Sequence, residues 1–546
     1  MPDTNNFTIS RALHEFIART QSPIPQEFWS LLICAVIFAL ISRRCILYFT
    51  SELPPFGSGL KQLPGPRSTL PYIGRVHDVD RMHPWTAMHR FSKEYDGLFA
   101  LTLGGETHIW IAREDVAQDL LCKHASISSS RADLGAYPNV TQGHKYLPLL
   151  GYTDTFLRQR KFAHIMMTQN IRDKYHGYLG LEVKRLMHEL LAQPKDFYDL
   201  TYLFCARVSA RLAYGSVNSA PDHVANANAF IHQLGPSGPK TNLIPFLRYF
   251  PEWLVPDKRS VRLRQEKEAI IWTQLFEKTK GLNTTGDQTK SYVSASLCAK
   301  DRGENDLLFS NEDEAIYAVG MLCIVGIFTI AGPAILFIMA MVLHPDWQTK
   351  VRAEVDKVVG EELLDLKHCP DLPLLRAAIK ECIRWKSTVP LGVPRLLTDN
   401  YVFDGFHFPK GAVVHILDIA MSQDTQRYDD PSTYNPGRWV DPSSPNFKEP
   451  LSQYPRLKGH HIFGRGKRAC PGQDLAEAEL FVFCGNLIKF FEVGVVLDGE
   501  GRAKHPDPER WTTDVIGGPL PFECDVRARD ERRGEMVEEM FRKAFA

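Results

Sequence analysis

The sequence predicts a mainly α-helical protein with small β-sheets, built as a single large domain behind an N-terminal membrane anchor. Three observations carry that prediction. From about Arg67 onward no linker, repeat or biased tract divides the 546-residue chain, although length alone suggests roughly three or four domains. Helical patterns dominate that body, and the longest is a nearly unbroken apolar segment ending at Leu343. Near the start, Phe28 to Ser42 (FWSLLICAVIFALIS) carries no charge and runs straight into Arg43 and Arg44.

The uncharged run is short for a membrane span, which needs about 20 apolar residues. Counted on to Phe49, with both arginines snorkelling to the interface, it reaches that length. A cleaved signal would lie nearer Met1 and end in small residues, whereas this run ends in Arg-Arg. The expected division is therefore 1–27 as a lumenal segment, 28–49 as the transmembrane anchor, 50–66 as a Pro/Gly-rich hinge and 67–546 as the folded body. Arg43, Arg44, Lys61 and Arg67 favour a cytoplasmic body, against the pull of Arg11 and Arg19. With the N-terminus lumenal, Asn6 in Asn6-Phe7-Thr8 is a usable glycosylation acceptor.

Within the body, TKGLNTTGDQTK (279–290) reads as a polar loop between helices. Ser310-Asn311-Glu312-Asp313 resembles a capping box with Asp in place of Glu, and opens the long apolar segment. That segment has one acidic end and contains Pro333, so a helix buried on all sides fits better than a membrane span. His344-Pro345 ends it, and WQTKVRAEVDKVVG forms the next helix, stopped by Gly360. Residues 372–386 read as an amphipathic helix. Tyr401–Phe403, a turn at Asp404-Gly405 and Ala412–Leu417 read as short strands.

Lys and Arg number 64 against 64 Asp and Glu, a balance that excludes a nucleic-acid partner. The 11 cysteines are odd in number, scattered and free of any C-x-x-C, so neither a disulfide framework nor a zinc ribbon is expected. Ten read as small buried hydrophobes. No G-x-S-x-G, Walker loop or H-E-x-x-H points to another enzyme class, and His460-His461 read as packing residues.

The remaining cysteine sits in Phe463-Gly-Arg-Gly-Lys-Arg-Ala-Cys-Pro-Gly472, which fits F-x-x-G-x-R-x-C-x-G at Phe463, Gly466, Arg468, Cys470 and Gly472. A chance match in a chain this long is on the order of one in several thousand. The glycines permit a tight turn around Cys470, and Pro471 suits the first position of a helix. Cys470 is then expected at a helix N-terminus, where the dipole lowers a thiol pKa. Such a thiolate can be the axial ligand of haem iron, with Arg468 pairing with a propionate.

On these residues the chain resembles the cytochrome P450 family, specifically the membrane-anchored microsomal type of fungal secondary metabolism. Further matches support it. Glu381-Cys-Ile-Arg384 matches E-x-x-R, an i, i+3 pair on one helix face. Asn435-Pro-Gly-Arg438-Trp439 resembles the P-x-R motif, whose arginine joins that pair in a buried structural network. Val325-Gly326-Ile-Phe328-Thr329-Ile330 stands where the family has A-G-x-D-T-T, with Phe328 in place of the acid. The resemblance makes Thr329 the catalytic hydroxyl of a proton relay whose refilling acid must come from elsewhere, and Pro333 is expected to bend the helix and open its backbone at residue 329. Tyr152 to Lys161 looks like the helix carrying W-x-x-x-R; Phe156 replaces Trp and Arg160 is kept. Arg160 and Arg395 are then expected propionate contacts.

The resemblance implies haem b with Cys470 as iron ligand, and a monooxygenase that inserts one atom of O2 into a lipophilic small molecule in a biosynthetic pathway. Electrons derived from NADPH would arrive through a reductase docking near Arg465 and Lys467, with cytochrome b5 as a further candidate donor. The setting is the endoplasmic reticulum membrane, single-pass, with the body (67–546) as a cytosolic haem-thiolate catalytic domain. Two alternatives stand beside this: a reductase-independent haem-thiolate isomerase or dehydratase, suggested by the missing acid, and a non-catalytic haem-binding membrane protein. Pocket-lining positions are expected at Ile324, Val325, Phe328, Val389 and Leu391. Residues 243–255 (LIPFLRYFPEWLV) read equally as a bilayer-dipping loop or a core segment.

Overall fold

Helices form most of the body, and the small sheets are built from short strands before residue 112 and after residue 394. The computed structural model describes residues 60–546 apart from 71–72, 236, 243, 285–289 and 302–308, together with Trp29, Leu31, Cys34, Ala35, Phe38, Pro54, Pro55 and 57–59. Asn6, Arg43, Arg44 and most of the expected anchor lie outside the described residues. The chain divides into two units, Met1–Gly59 and Leu60–Ala546. The second begins inside the stretch read as a hinge, because Lys61–Gln62 (β1) already pairs with the sheet and Pro64 O accepts from Ala100 N.

The longer helices are Pro84–Glu94 (α1), Asp154–Arg172 (α2), Tyr178–Ala192 (α3), Phe197–Tyr214 (α4), Ala220–Leu234 (α5), Asp257–Thr284 (α6), Glu312–Leu343 (α7), Pro345–Val359 (α8), Pro373–Trp385 (α9), Gln473–Phe490 (α10) and Glu531–Phe545 (α11). The remaining strands used below are Leu98–Leu103 (β2), Glu106–Ile111 (β3), Arg395–Leu396 (β4), Tyr401–Phe403 (β5), Phe406–Phe408 (β6) and Val413–Ile416 (β7). They form a four-stranded sheet in the order β2-β3-β7-β4, and a three-stranded sheet in the order β1-β6-β5. Alternation along β2 and β3 explains why both faces are covered. Leu98, Ile109 and Ile111 join Val414 in one cluster, while Phe99, Leu101 and Trp110 meet Ala87, Met88 and Phe91 of α1 in another.

Two local expectations change. Helix α6 runs on to Thr284, so the first half of the 279–290 stretch is helical rather than loop. The cap of α7 is Asn311, one residue later than a Ser310 cap, and its side chain accepts from Glu314 N at 2.8 Å. Glu314, fully buried, is itself held by Ser310 N and by Arg158. Helix α7 is also unbroken through Pro333.

Among the described residues, α7 is the one helix long and apolar enough to cross a membrane. It is buried by protein along its length, which makes it the central core helix. Its neighbour α4 approaches so closely that a Cβ on Gly326 would stand 2.6 Å from Ser209 Oγ. The ten described cysteines are all free.

One core group is out of balance. Glu479 of α10 is fully buried, neither carboxylate oxygen has a hydrogen-bond partner, and burial pushes its pKa well up. A carboxyl that stays protonated when folded but ionises when unfolded opposes folding increasingly as pH rises above the usual glutamate range. Glu479→Leu is therefore expected to stabilise the protein by about 1–3 kcal/mol near neutral pH. Denaturant titration across pH checks this, since the gain should shrink below about pH 4.

Candidate functional site

The cysteine loop is shaped by close backbone contact. Cys470 N donates to Phe463 O at 2.7 Å, closing the loop. Gly466 has φ +58°, and a Cβ there would lie 2.0 Å from Leu121 O, so no side chain fits. Gly472 is different: its φ is −90°, and a Cβ would make only an ordinary 3.9 Å contact with Cys470 Sγ. Its contribution is its backbone N–H, which hydrogen-bonds the thiol.

Two expectations for Cys470 are corrected. Helix α10 begins at Gln473 with Gly472 as its cap, so Pro471 lies outside the helix and Cys470 stands before its first turn. The thiol pKa is also raised rather than lowered, because burial outweighs the Gly472 N–H and the Arg160 charge. The dipole effect falls off within the first turn. The residue still keeps partial exposure on one side. The thiolate here needs a cation bound at sulfur to offset its desolvation.

Around this cysteine the fold gathers guanidinium groups that have no carboxylate partner among the described residues. Arg160, from α2, donates to Ala469 O. Arg468 donates to Ser129 O at 2.7 Å and to Leu150 O at 2.6 Å. Arg395, from β4, donates to Arg465 O at 2.7 Å, while its Nη1 is buried with no partner. A fourth, Arg131, donates to Pro148 O, Val393 O and Pro394 O. Sequence reasoning missed Arg131, since no local pattern marks it.

Burial pushes all four guanidinium groups down. Arg468 falls to about 9, with Arg395 and Arg160 adding repulsion. Arg395 falls to about 10, with Arg465 adding repulsion. Arg131 falls well below the usual range through burial, Arg468 and Arg395, and Arg160 falls through burial alone, partly offset by Cys470. So much uncompensated positive charge calls for an anionic group. Phe156, which stands where Trp was expected, is 2% exposed and lies under Arg468 at 3.6 Å from ring centroid to guanidinium carbon. It supports the arginine by a cation–π contact instead of an N–H donor.

On α7, every residue from Glu314 to Val342 is buried except Val325, Gly326 and Thr329. Their i, i+1, i+4 spacing groups them on one side of the helix, its least covered strip. Thr329 Oγ1 donates to Val325 O at 2.6 Å. Ile324 and Phe328, also expected on the pocket wall, are buried in the main apolar cluster, against which Val325 packs as well. Val389 and Leu391 are half-buried.

Glu381, Arg384 and Arg438 meet in one buried network. Arg384 makes a two-point contact with Glu381, at 3.0 and 2.8 Å, and Arg438 Nε donates to Glu381 Oε1 at 2.9 Å. Trp439 Nε1 and Asn435 N also donate to Glu381, at 2.8 and 3.1 Å. Arg384 fills its other donors with Ser422 O, Pro431 O and Thr433 O, tying α9 to the loop before the cysteine.

These features fit a flat, dianionic, iron-bearing group: one half-open cysteine beside four guanidinium groups that lack a counter-ion. Cys470 would bind the metal, and Arg160, Arg395, Arg468 and Arg131 would hold two carboxylates. Each charge-assisted contact is worth about 1.5–3 kcal/mol. Arg395→Leu or Arg468→Leu is therefore expected to speed haem loss to an apoprotein acceptor by about tenfold or more. Absorbance of the transferred haem measures it.

The family model described as cytochrome P450 matches residues 63–514. The chain is similar to cytochrome P450 monooxygenase virE of Hypocrea virens, with 28% identity covering 92% of this chain and 91% of that protein. It is similar to cytochrome P450 monooxygenase 136 of Postia placenta, with 27% identity covering 95% and 97%, and to cytochrome P450 monooxygenase psoD of Aspergillus fumigatus, with 27% identity covering 82% and 87%. Among solved structures, a zebrafish cytochrome P450 with abiraterone shares the fold, with TM-score 0.66 and 22% identity over 82% of this chain and all of that one.

Proposed function

The chain belongs to the cytochrome P450 family, and from that premise we propose that it inserts one oxygen atom from O2 into a lipophilic small molecule in a biosynthetic pathway. Electrons come from NADPH through a reductase. The observation that carries this reading is the half-open Cys470 beside Arg131, Arg160, Arg395 and Arg468, four buried cations with no counter-ion. Bound haem supplies the redox chemistry by which O2 is activated.

The chain's own residues hold the group, exclude bulk water and deliver protons. The Thr329 hydroxyl, donating to Val325 O, keeps its lone pairs free to accept from a water. The carbonyl of residue 329 lacks its usual helix partner because Pro333 has no N–H, so a second acceptor lies on the same residue. Together they can hold a water at the least covered strip of α7. Phe328 is in the core and carries no proton, so replenishment comes from solvent through that strip. Thr329→Val should lower product formed per NADPH by about tenfold or more while leaving the haem spectrum unchanged. Equal coupling in the variant would remove Thr329 from the relay.

The proposed setting is the endoplasmic reticulum membrane, with 28–49 as anchor and a cytosolic body. Support comes from 243–255: Phe246, Tyr249 and Leu254 are half or more exposed and Trp253 is 77% exposed, a pattern unlike a core segment and suited to an interface. For the reductase, Lys467 is exposed and bonded to Tyr152 at 2.6 Å, whereas Arg465 is largely taken up by Glu114.

A further inference from the structure

A second cluster of uncompensated charge lies away from Cys470. A cleft of about 400 Å³ opens between α9, the 427–448 segment and the chain entering the cysteine loop. Its lining includes Lys380, Lys448, Arg456, His460 and His461, with Arg427, Lys458 and Arg465 at its rim. Only one carboxylate, Glu114, lines it, and that group is already bonded to Arg427 and Arg465. Lys458 is paired with Asp474. Lys380, Lys448 and Arg456 have no carboxylate partner among the described residues; they rest instead over the rings of Trp439 and Tyr454.

The floor gives an independent sign. His460 is 7% exposed, and its Nδ1 accepts from Ile462 N at 3.3 Å. An accepting Nδ1 leaves the ring proton on Nε2. That Nε2–H donor is buried with no partner. Burial first, and then neighbouring positive charge, hold His460 well below its usual pKa, so it stays neutral and offers one fixed N–H. Burial and the charges of Lys448 and Arg456 push Lys380 down to about 8, with Glu477 and Glu381 only partly offsetting them. A buried orphan donor beneath three unpaired cations needs a ligand rich in acceptor lone pairs and negative charge.

We propose that this cleft is a binding site for a phosphate-type oxyanion, held by His460 Nε2–H at its floor and by Lys380, Lys448 and Arg456 above. The ligand is inorganic phosphate or the phosphoryl group of a small metabolite such as a nucleotide, and both present the same oxygens. Aromatic faces at Trp439 and Tyr454 are placed to receive the remainder of a larger ligand. The site is independent of the haem-thiolate reading, since none of these side chains contacts the cysteine or its arginines.

The test is calorimetric titration of the full-length haem-loaded protein with inorganic phosphate at constant ionic strength. A single saturable site is expected. Lys380→Gln, and separately the exposed pair Lys448→Gln/Arg456→Gln, should each weaken it by about tenfold or more. Lys504→Gln, outside the cleft, should leave it unchanged. The exposed pair keeps the test decisive if Lys380→Gln fails to fold. A parallel titration with adenosine monophosphate separates the sources: equal affinity assigns free phosphate, and tighter binding assigns a nucleotide. Heat no greater than that of a matched chloride titration, or affinity unchanged in the exposed double variant, would overturn the proposal.

Discussion

Cys470→Ser will abolish the reduced carbon monoxide spectrum of thiolate-ligated haem and reduce turnover by at least about a thousandfold. The loop makes the effect specific. Gly466 pressed on Leu121 O and the Cys470 N–Phe463 O bond set the backbone, so serine occupies the same place without change of fold. What disappears is the sulfur donor itself. Retention of a thiolate-type spectrum by the serine variant would remove Cys470 as the ligand. Retained haem with a different spectrum is expected, because the four arginines are untouched.

Breaking the Glu381 network will cost a large share of the protein's stability. Arg384 and Glu381 are both fully buried, and Glu381 accepts from four separate donors: Arg384, Arg438, Trp439 and Asn435. Arg384→Leu leaves an ionised carboxylate in a site that water cannot reach, a loss of about 3–5 kcal/mol. Urea denaturation of the haem-loaded variant measures it, and a loss below about 1 kcal/mol would contradict the network's role. The exposed pair Lys458–Asp474 provides the contrast, since Lys458→Ala should change stability by no more than about 1 kcal/mol.

The cysteine loop and the E-x-x-R pair were legible from sequence because their chemistry is local. A loop pinched to bring a sulfur forward needs glycine and proline at set offsets, and an i, i+3 pair shares a helix face in any α-helix. The propionate arginines were only partly legible. Arg468 lies two residues from the cysteine, but Arg160 and Arg395 come from α2 and β4, and Arg131 carries no signal at all. The wrong expectations share one cause. The thiol pKa and the extent of α6 depend on what surrounds a residue, not on its neighbours in sequence.

By itself, the sequence determined the family, the mainly helical class with small sheets, the single large body and the identity of the one cysteine set apart from the rest. These follow from periodicity and from short motifs whose geometry the backbone imposes. The tertiary structure decided which side chains lack a counter-charge. Arg131 beside Cys470 and the three cations above His460 look like ordinary surface residues in the sequence. The arginines are drawn from positions between 131 and 468 and the three cations from positions between 380 and 456, and only the fold removes the water and carboxylates that would otherwise neutralise them.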